Sequence, residues 1–134
     1  MTANEAKIAV ITMFTTGWNN ATLIDAENEK FTEPESDPWV RITIRNLPGG
    51  QSTMGKDGNR KYERKALVFI QVFTPVGTGT ADADLLAQDA QTILESKRLS
   101  IQSWTGNATI REVGAEGKWY AINVETELNY EEIK

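Results

Sequence analysis

The sequence predicts an α+β domain: a mixed, mainly antiparallel sheet of four to five strands with two helices packed on one face of it. Three observations lead there. Two segments, one at the N-terminus and one following Thr80, repeat apolar residues every three or four positions, which is the helical period. Segments beginning at Trp39 and Trp119 alternate apolar and polar residues, as half-buried strands do. Between them, Ala66-Leu67-Val68-Phe69-Ile70-Gln71-Val72-Phe73 is nearly continuously apolar, the pattern of a central strand covered on both faces. A length of 134 residues suits one domain over 1–134 with a sizeable core.

The elements follow in order. Thr2-Ala3-Asn4-Glu5 reads as a capping box, in which the Thr hydroxyl and the Glu carboxylate each satisfy a free backbone N–H. Ile8, Ile11, Phe14 and Trp18 then form the expected buried stripe of a helix ending near Gly17. Ala21–Ile24 is a short edge strand. Asp25 to Asp37 holds six acids against Lys30, with Pro34 and Pro38 as breakers, and reads as a solvated loop. Val40, Ile42 and Ile44 face the core, with Arg41, Thr43 and Arg45 outward. Thr74-Pro75 ends the central strand and Val76–Thr80 turns into the second helix. That helix buries Ala83, Leu86, Ala87, Ala90, Ile93 and Leu94 and places Lys97 and Arg98 in its last turn, where cations suit the dipole. Ser100–Trp104 and Thr109–Val113 read as one strand interrupted at Gly106-Asn107. A turn at Gly114–Lys118 then closes a hairpin with Trp119–Tyr130, whose Tyr120, Ile122, Val124, Thr126, Leu128 and Tyr130 face one way.

Composition narrows the chemistry. The chain has no cysteine and no histidine, so disulfides, cysteine–histidine zinc sites, thiol nucleophiles and Ser-His-Asp triads are excluded. Gly77-Thr78-Gly79-Thr80 sits where phosphate loops occur, but no Gly-Lys-Ser/Thr follows, and Asp82 and Asp84 would repel a phosphate. Glu125 and Glu127 share a strand face about 6.6 Å apart, a spacing within the range of glycosidase carboxylates; no sugar groove can be inferred beside them, and they read as a solvated or subunit-facing surface. Asp82, Asp84 and Asp89 read as partners of the helix dipole rather than as metal ligands. The expectation is a protein that is not an enzyme and uses no cofactor or metal. No apolar run reaches membrane-spanning length, and the N-terminus lacks a signal-peptide layout, so no membrane partner is expected.

Charge supplies the functional clue. Arg41, Arg45, Lys56, Arg60, Lys61, Arg64 and Lys65 stand against Asp57 and Glu63, a net +5 in a chain of net −5, which leaves −10 for the rest. Three readings follow, the plainest being a mobile charged loop with no partner. Otherwise the segment meets nucleic-acid phosphates, or it meets an acidic surface on another copy of the chain, a heterologous contact that can close into a ring. Only Tyr62 is available to stack bases between Val40 and Lys65, and the acidic remainder repels DNA. The acidic counter-surface is expected among Glu27, Glu29, Glu33, Glu35 and Asp37.

The order of the motifs carries a resemblance. A capped helix leads through an acidic, Pro-containing stretch to Asp37-Pro38-Trp39-Val40-Arg41-Ile42-Thr43-Ile44-Arg45. A glycine-containing loop is followed by Arg60–Lys65, Val68–Pro75, Gly77-Thr78-Gly79 and a helix, and the chain closes on a hairpin carrying Gly117–Val124. This resembles the tail-terminator family of long-tailed phages, including the lambda-type minor tail protein U. The resemblance implies a virion protein at the head-proximal end of the tail, made in the host cytoplasm. It implies a hexameric ring that caps the tail tube, stops its polymerisation and joins the head. The implied partners are other copies of itself, the tail-tube protein and a head-completion or connector protein, with DNA passing transiently through the lumen. The loop at 48–60 corresponds to one that is mobile before assembly. The alternatives are another neck component (a head-closure or tail-completion protein) or a nucleic-acid-binding module using residues 41–65.

Overall fold

The computed structural model describes residues 1–26 and 29–134. Among these described residues, eight elements follow one another: α1 (Ala3–Trp18), β1 (Leu23–Ala26), β2 (Trp39–Gln51), β3 (Lys61–Pro75), α2 (Ala81–Leu94), β4 (Arg98–Ser100), β5 (Ser103–Glu116) and β6 (Trp119–Ile133). The strands form one sheet in the order β1-β2-β3-β6-β5-β4. Only β1 and β2 run parallel; the other pairs are antiparallel. The α+β class, the two helices and the mixed, mainly antiparallel sheet match expectation, but the sheet has six strands rather than four to five. The extra strand is β4, three residues long, too short to show an alternation of its own.

β3 and β6 pair in unbroken register from Lys61↔Ile133 to Pro75↔Trp119. Their alternation assigns the two faces. Val40, Ile42, Ile44, Val68, Ile70, Val72, Ile122, Val124 and Leu128 are buried on one face beneath both helices. Burial at about 25 cal/mol per Å² of apolar surface is the main drive for that layering. The other face carries Arg41, Gln71 and Asn123 in one cross-strand row and Thr43, Phe69 and Glu125 in the next.

Helix α1 starts as half of the expected capping box. The Thr2 hydroxyl accepts from the Glu5 N–H at 3.2 Å, but donates to the Glu5 carboxylate, so that carboxylate does not reach back to the backbone. The buried stripe is Ala6, Val10, Phe14 and Trp18. Ile11 is partly buried, whereas Ile8, expected in the core, is 55% exposed. The expected and observed stripes share Phe14 and Trp18 and differ in their first half, where Ala6 and Val10 are buried in place of Ile8 and Ile11; α2 crosses closely at the C-terminal end of the helix. A Cβ on Gly17 would meet the Ile93 side chain at 3.1 Å. Helix α2 buries Ala83, Ala87, Ala90 and Leu94, with Leu86 and Ile93 packed at the rim. It ends at Leu94, so Lys97 and Arg98 lie beyond its last turn and Arg98 opens β4. Ser96 adopts a positive φ of 52° there, turning the chain before the cations are reached.

The expected interruption at Gly106-Asn107 is a bulge inside β5, between Thr105 and Ala108. Strand β2 runs through Pro48–Gly50 to Gln51, farther than a loop at 48–60 implies, by way of a register shift between Leu47 and Gly50. Gly49 allows this shift, since a Cβ there would collide with the Glu63 carbonyl oxygen. Among the described residues no helix is long and apolar enough to cross a membrane.

The helix phase has a direct test. Phe14→Ala should cost about 3–5 kcal/mol of unfolding free energy. Ile8→Ala should cost less than about 0.5 kcal/mol. Urea titrations of the two variants give the order, and the reverse order would contradict the stripe.

Candidate assembly surface

The basic segment folds into the β2–β3 hairpin, and its cations find carboxylates of the same chain. Lys61 pairs with Glu131 at 3.1 Å, Arg64 with Glu132 at 3.3 Å and Lys65 with Glu127 at 3.2 Å. Each acid lies two residues along β6 from the cation's direct cross-strand neighbour, the diagonal reach expected of long side chains. Arg41 pairs with Asp25 on β1 at 3.0 Å. Arg60 pairs with Asp57 at 2.8 Å and donates to the Gly55 carbonyl at 2.9 Å. Arg45 is exposed and donates to the Ile44 carbonyl. Lys56, in the turn, makes no ion pair among the described residues.

At least five of the seven cations are therefore locally neutralised by partners among the described residues. Such pairs at a solvated surface add little stability, but each cancels a charge that a distant partner would otherwise feel. The surface left is a mosaic rather than a +5 field.

The outer face has a second feature that the charge pattern did not reveal. Trp39 and Phe73 stack at 4.2 Å between ring centroids, Trp119 meets Trp39 edge-on at 5.9 Å, and Phe31 lies 5.1 Å from Trp39. The Arg41 guanidinium stands 5.1 Å from the Trp39 ring and 5.4 Å from Phe73, within cation–π range. Glu33 accepts from the Trp119 indole N–H and lies 3.7 Å from Lys118. Phe31 and Glu33 thus pin the acidic segment across its own sheet. The only hint of this in the sequence is an aromatic inside an acidic run. Of the expected acidic counter-surface, Glu29, Glu35 and Asp37 are exposed, Glu33 is engaged as described, and Glu27 lies outside the described residues.

The remaining candidates are placed as follows. Glu125 lies 3.7 Å from Arg111, and Glu127 pairs with Lys65. Gly77 and Gly79 take positive φ in a turn closed by the Thr78 hydroxyl on the Pro75 carbonyl, with Asp82 and Asp84 in the first turn of α2. On the covered face, Tyr130 is 4% exposed. Burial pushes its pKa up from 10.0, Glu132 pushes it further and Arg64 opposes both.

Two measurements follow. A tyrosine whose folded pKa is raised contributes stability that is complete below its unfolded value near 10 and is lost as pH climbs through the folded value. Unfolding free energy should fall across that window, and Tyr130→Phe should lack this component; identical pH profiles would contradict the assignment. Duplex DNA should bind weakly, with a slope of log K against log salt shallower than about −2, since few cations are left to displace counterions. Anisotropy titrations at several salt concentrations measure it, and a steep slope would restore the nucleic-acid reading.

Comparison with known proteins places this architecture. No curated protein matches the sequence. One solved structure superposes with a TM-score of 0.70 at 13% identity, covering 97% of this chain and 96% of that one. A chain in the virion of a native gene transfer agent particle superposes with a TM-score of 0.54 at 16% identity, covering 94% of each. At these identities the likeness is one of fold. The family model described as phage tail terminator protein matches residues 5–125, nearly the whole domain, and supports a structural role in a phage tail. The chain belongs to the phage tail terminator protein family.

Proposed function

We propose that the protein is the tail terminator of a long-tailed phage or prophage. It assembles as a ring, a hexamer, on the head-proximal end of the tail tube, stops the tube's polymerisation and presents the surface that a head-completion protein joins. It does so in the host cytoplasm and remains in the virion. The observation that carries this reading is the family match across residues 5–125. Two physical features support it. The sheet's outer face carries no helix among the described residues, and the hairpin of β2 and β3 carries apolar and charged groups to the edge of the domain.

In this reading Arg41, Arg45, Lys56, Arg60, Lys61, Arg64 and Lys65 form the surface towards a neighbour or the lumen. Most of them act as neutral pairs that set shape and register, and free charge attracts a neighbour chiefly at Lys56. DNA then passes the ring without being held by it.

Polymerising purified tail-tube protein with and without this chain tests the reading. Tubes should stop lengthening once substoichiometric amounts of the chain are added. Tubes that grow at an unchanged rate to unchanged lengths would contradict it.

A further inference from the structure

Two exposed features at opposite ends of the domain match one another. The first is the β2–β3 turn. Met54 is 97% exposed at its tip, and Lys56 follows two residues later. The turn is folded by its own hydrogen bonds: Gln51 Nε2 to the Thr53 carbonyl, the Lys61 N–H to the Thr53 hydroxyl, and the Asn59 N–H to the Lys56 carbonyl. Asp57 and Arg60 cancel each other, so the tip offers one apolar side chain beside one uncompensated cation.

The second feature is a groove of about 780 Å³ between edge strand β1 and the start of α2. Leu23 and Leu85 are 55% and 60% exposed there, with Pro38 and Leu86 beneath. Asp37 and Asp82, both exposed, also line it, and neither makes an ion pair among the described residues. The groove therefore presents apolar walls beside two carboxylates that make no ion pair among the described residues.

We infer that the β2–β3 turn of one copy docks in the β1–α2 groove of the next, with Met54 between Leu23 and Leu85 and Lys56 facing Asp37 and Asp82. This rests on the terminator reading for the assembly in which it occurs. The occupant is a second copy because the two halves cannot meet within one chain. Leu23 pairs beside Trp39 at the start of β2, and Gln51 ends that strand twelve residues later, about 40 Å away at roughly 3.3 Å per residue. A contact between different patches on the two partners is heterologous, and repeated by rotation it closes a ring. Methionine suits such a contact, because its unbranched thioether adapts to an irregular apolar wall. The charges lining the groove orient the tip and reject the reversed approach.

The cysteine-free sequence makes cross-linking clean. Met54→Cys and Leu85→Cys are prepared as separate proteins, mixed with tail tubes and oxidised, while ring formation is followed by negative-stain imaging. The inference predicts mixed disulfide dimers containing one of each variant. A chain carrying both substitutions should give a ladder ending at the ring. Rings without mixed dimers, or Met54→Cys homodimers as the main product, overturn the inference and leave the terminator reading standing. Chains that neither cross-link nor form rings on tubes overturn both. As a second measurement, Lys56→Glu and Asp82→Lys should each lower ring yield about tenfold, equivalent to about 1.4 kcal/mol, and should restore one another when mixed. Yields that do not respond to either change exclude the contact.

Discussion

The fifteen-residue register between β3 and β6 is the constraint on which the rest depends. It stacks Val68, Ile70 and Val72 beside Ile122, Val124 and Leu128 on one face, and that continuous apolar surface is what both helices cover. The same register fixes the opposite face, where Lys61 and Lys65 meet Glu131 and Glu127. A slip of one residue would exchange the faces, burying the ion pairs and exposing the core. Core packing therefore locks the charge arrangement, although the ion pairs themselves contribute little to stability.

Much of the fold was legible because it is written locally. Val40, Ile42 and Ile44 declare their face by period alone, as do Tyr120 through Tyr130, and the glycine at 106 marks the β5 bulge. What was not legible depends on distant partners. Whether Ile8 or Val10 is buried in α1 depends on how the helix sits against the sheet and α2, whose Ile93 approaches Gly17 from 76 positions away in sequence. The basic segment misleads for the same reason. Arg64 and Glu132 stand 68 residues apart, and nothing short of the strand order announces that they will neutralise each other. The acidic run likewise contains its own anchor in Phe31 and Glu33, which only the position of Trp39 and Trp119 reveals.

Local pairing of the cations changes how copies of the chain can meet. A field of +5 against −10 would steer copies together from a distance and fail in salt. The folded surface is instead nearly balanced over the hairpin stem, with uncompensated charge at Lys56 in the turn and at Asp37 and Asp82 beside the β1–α2 groove. Association through such ends depends on shape and short-range contact, which under the proposed terminator role suits assembly on a template rather than anywhere in solution. The length of the hairpin matters here, since it separates the two ends too widely for one chain to satisfy itself.

The central claim is that this family member acts at one end of a tail tube. Electron micrographs of purified tubes incubated with gold-labelled protein test it most directly. The account predicts one ring of label at a single end of each tube and none along the shaft. Label scattered along the shaft, or absent from tubes altogether, would contradict it.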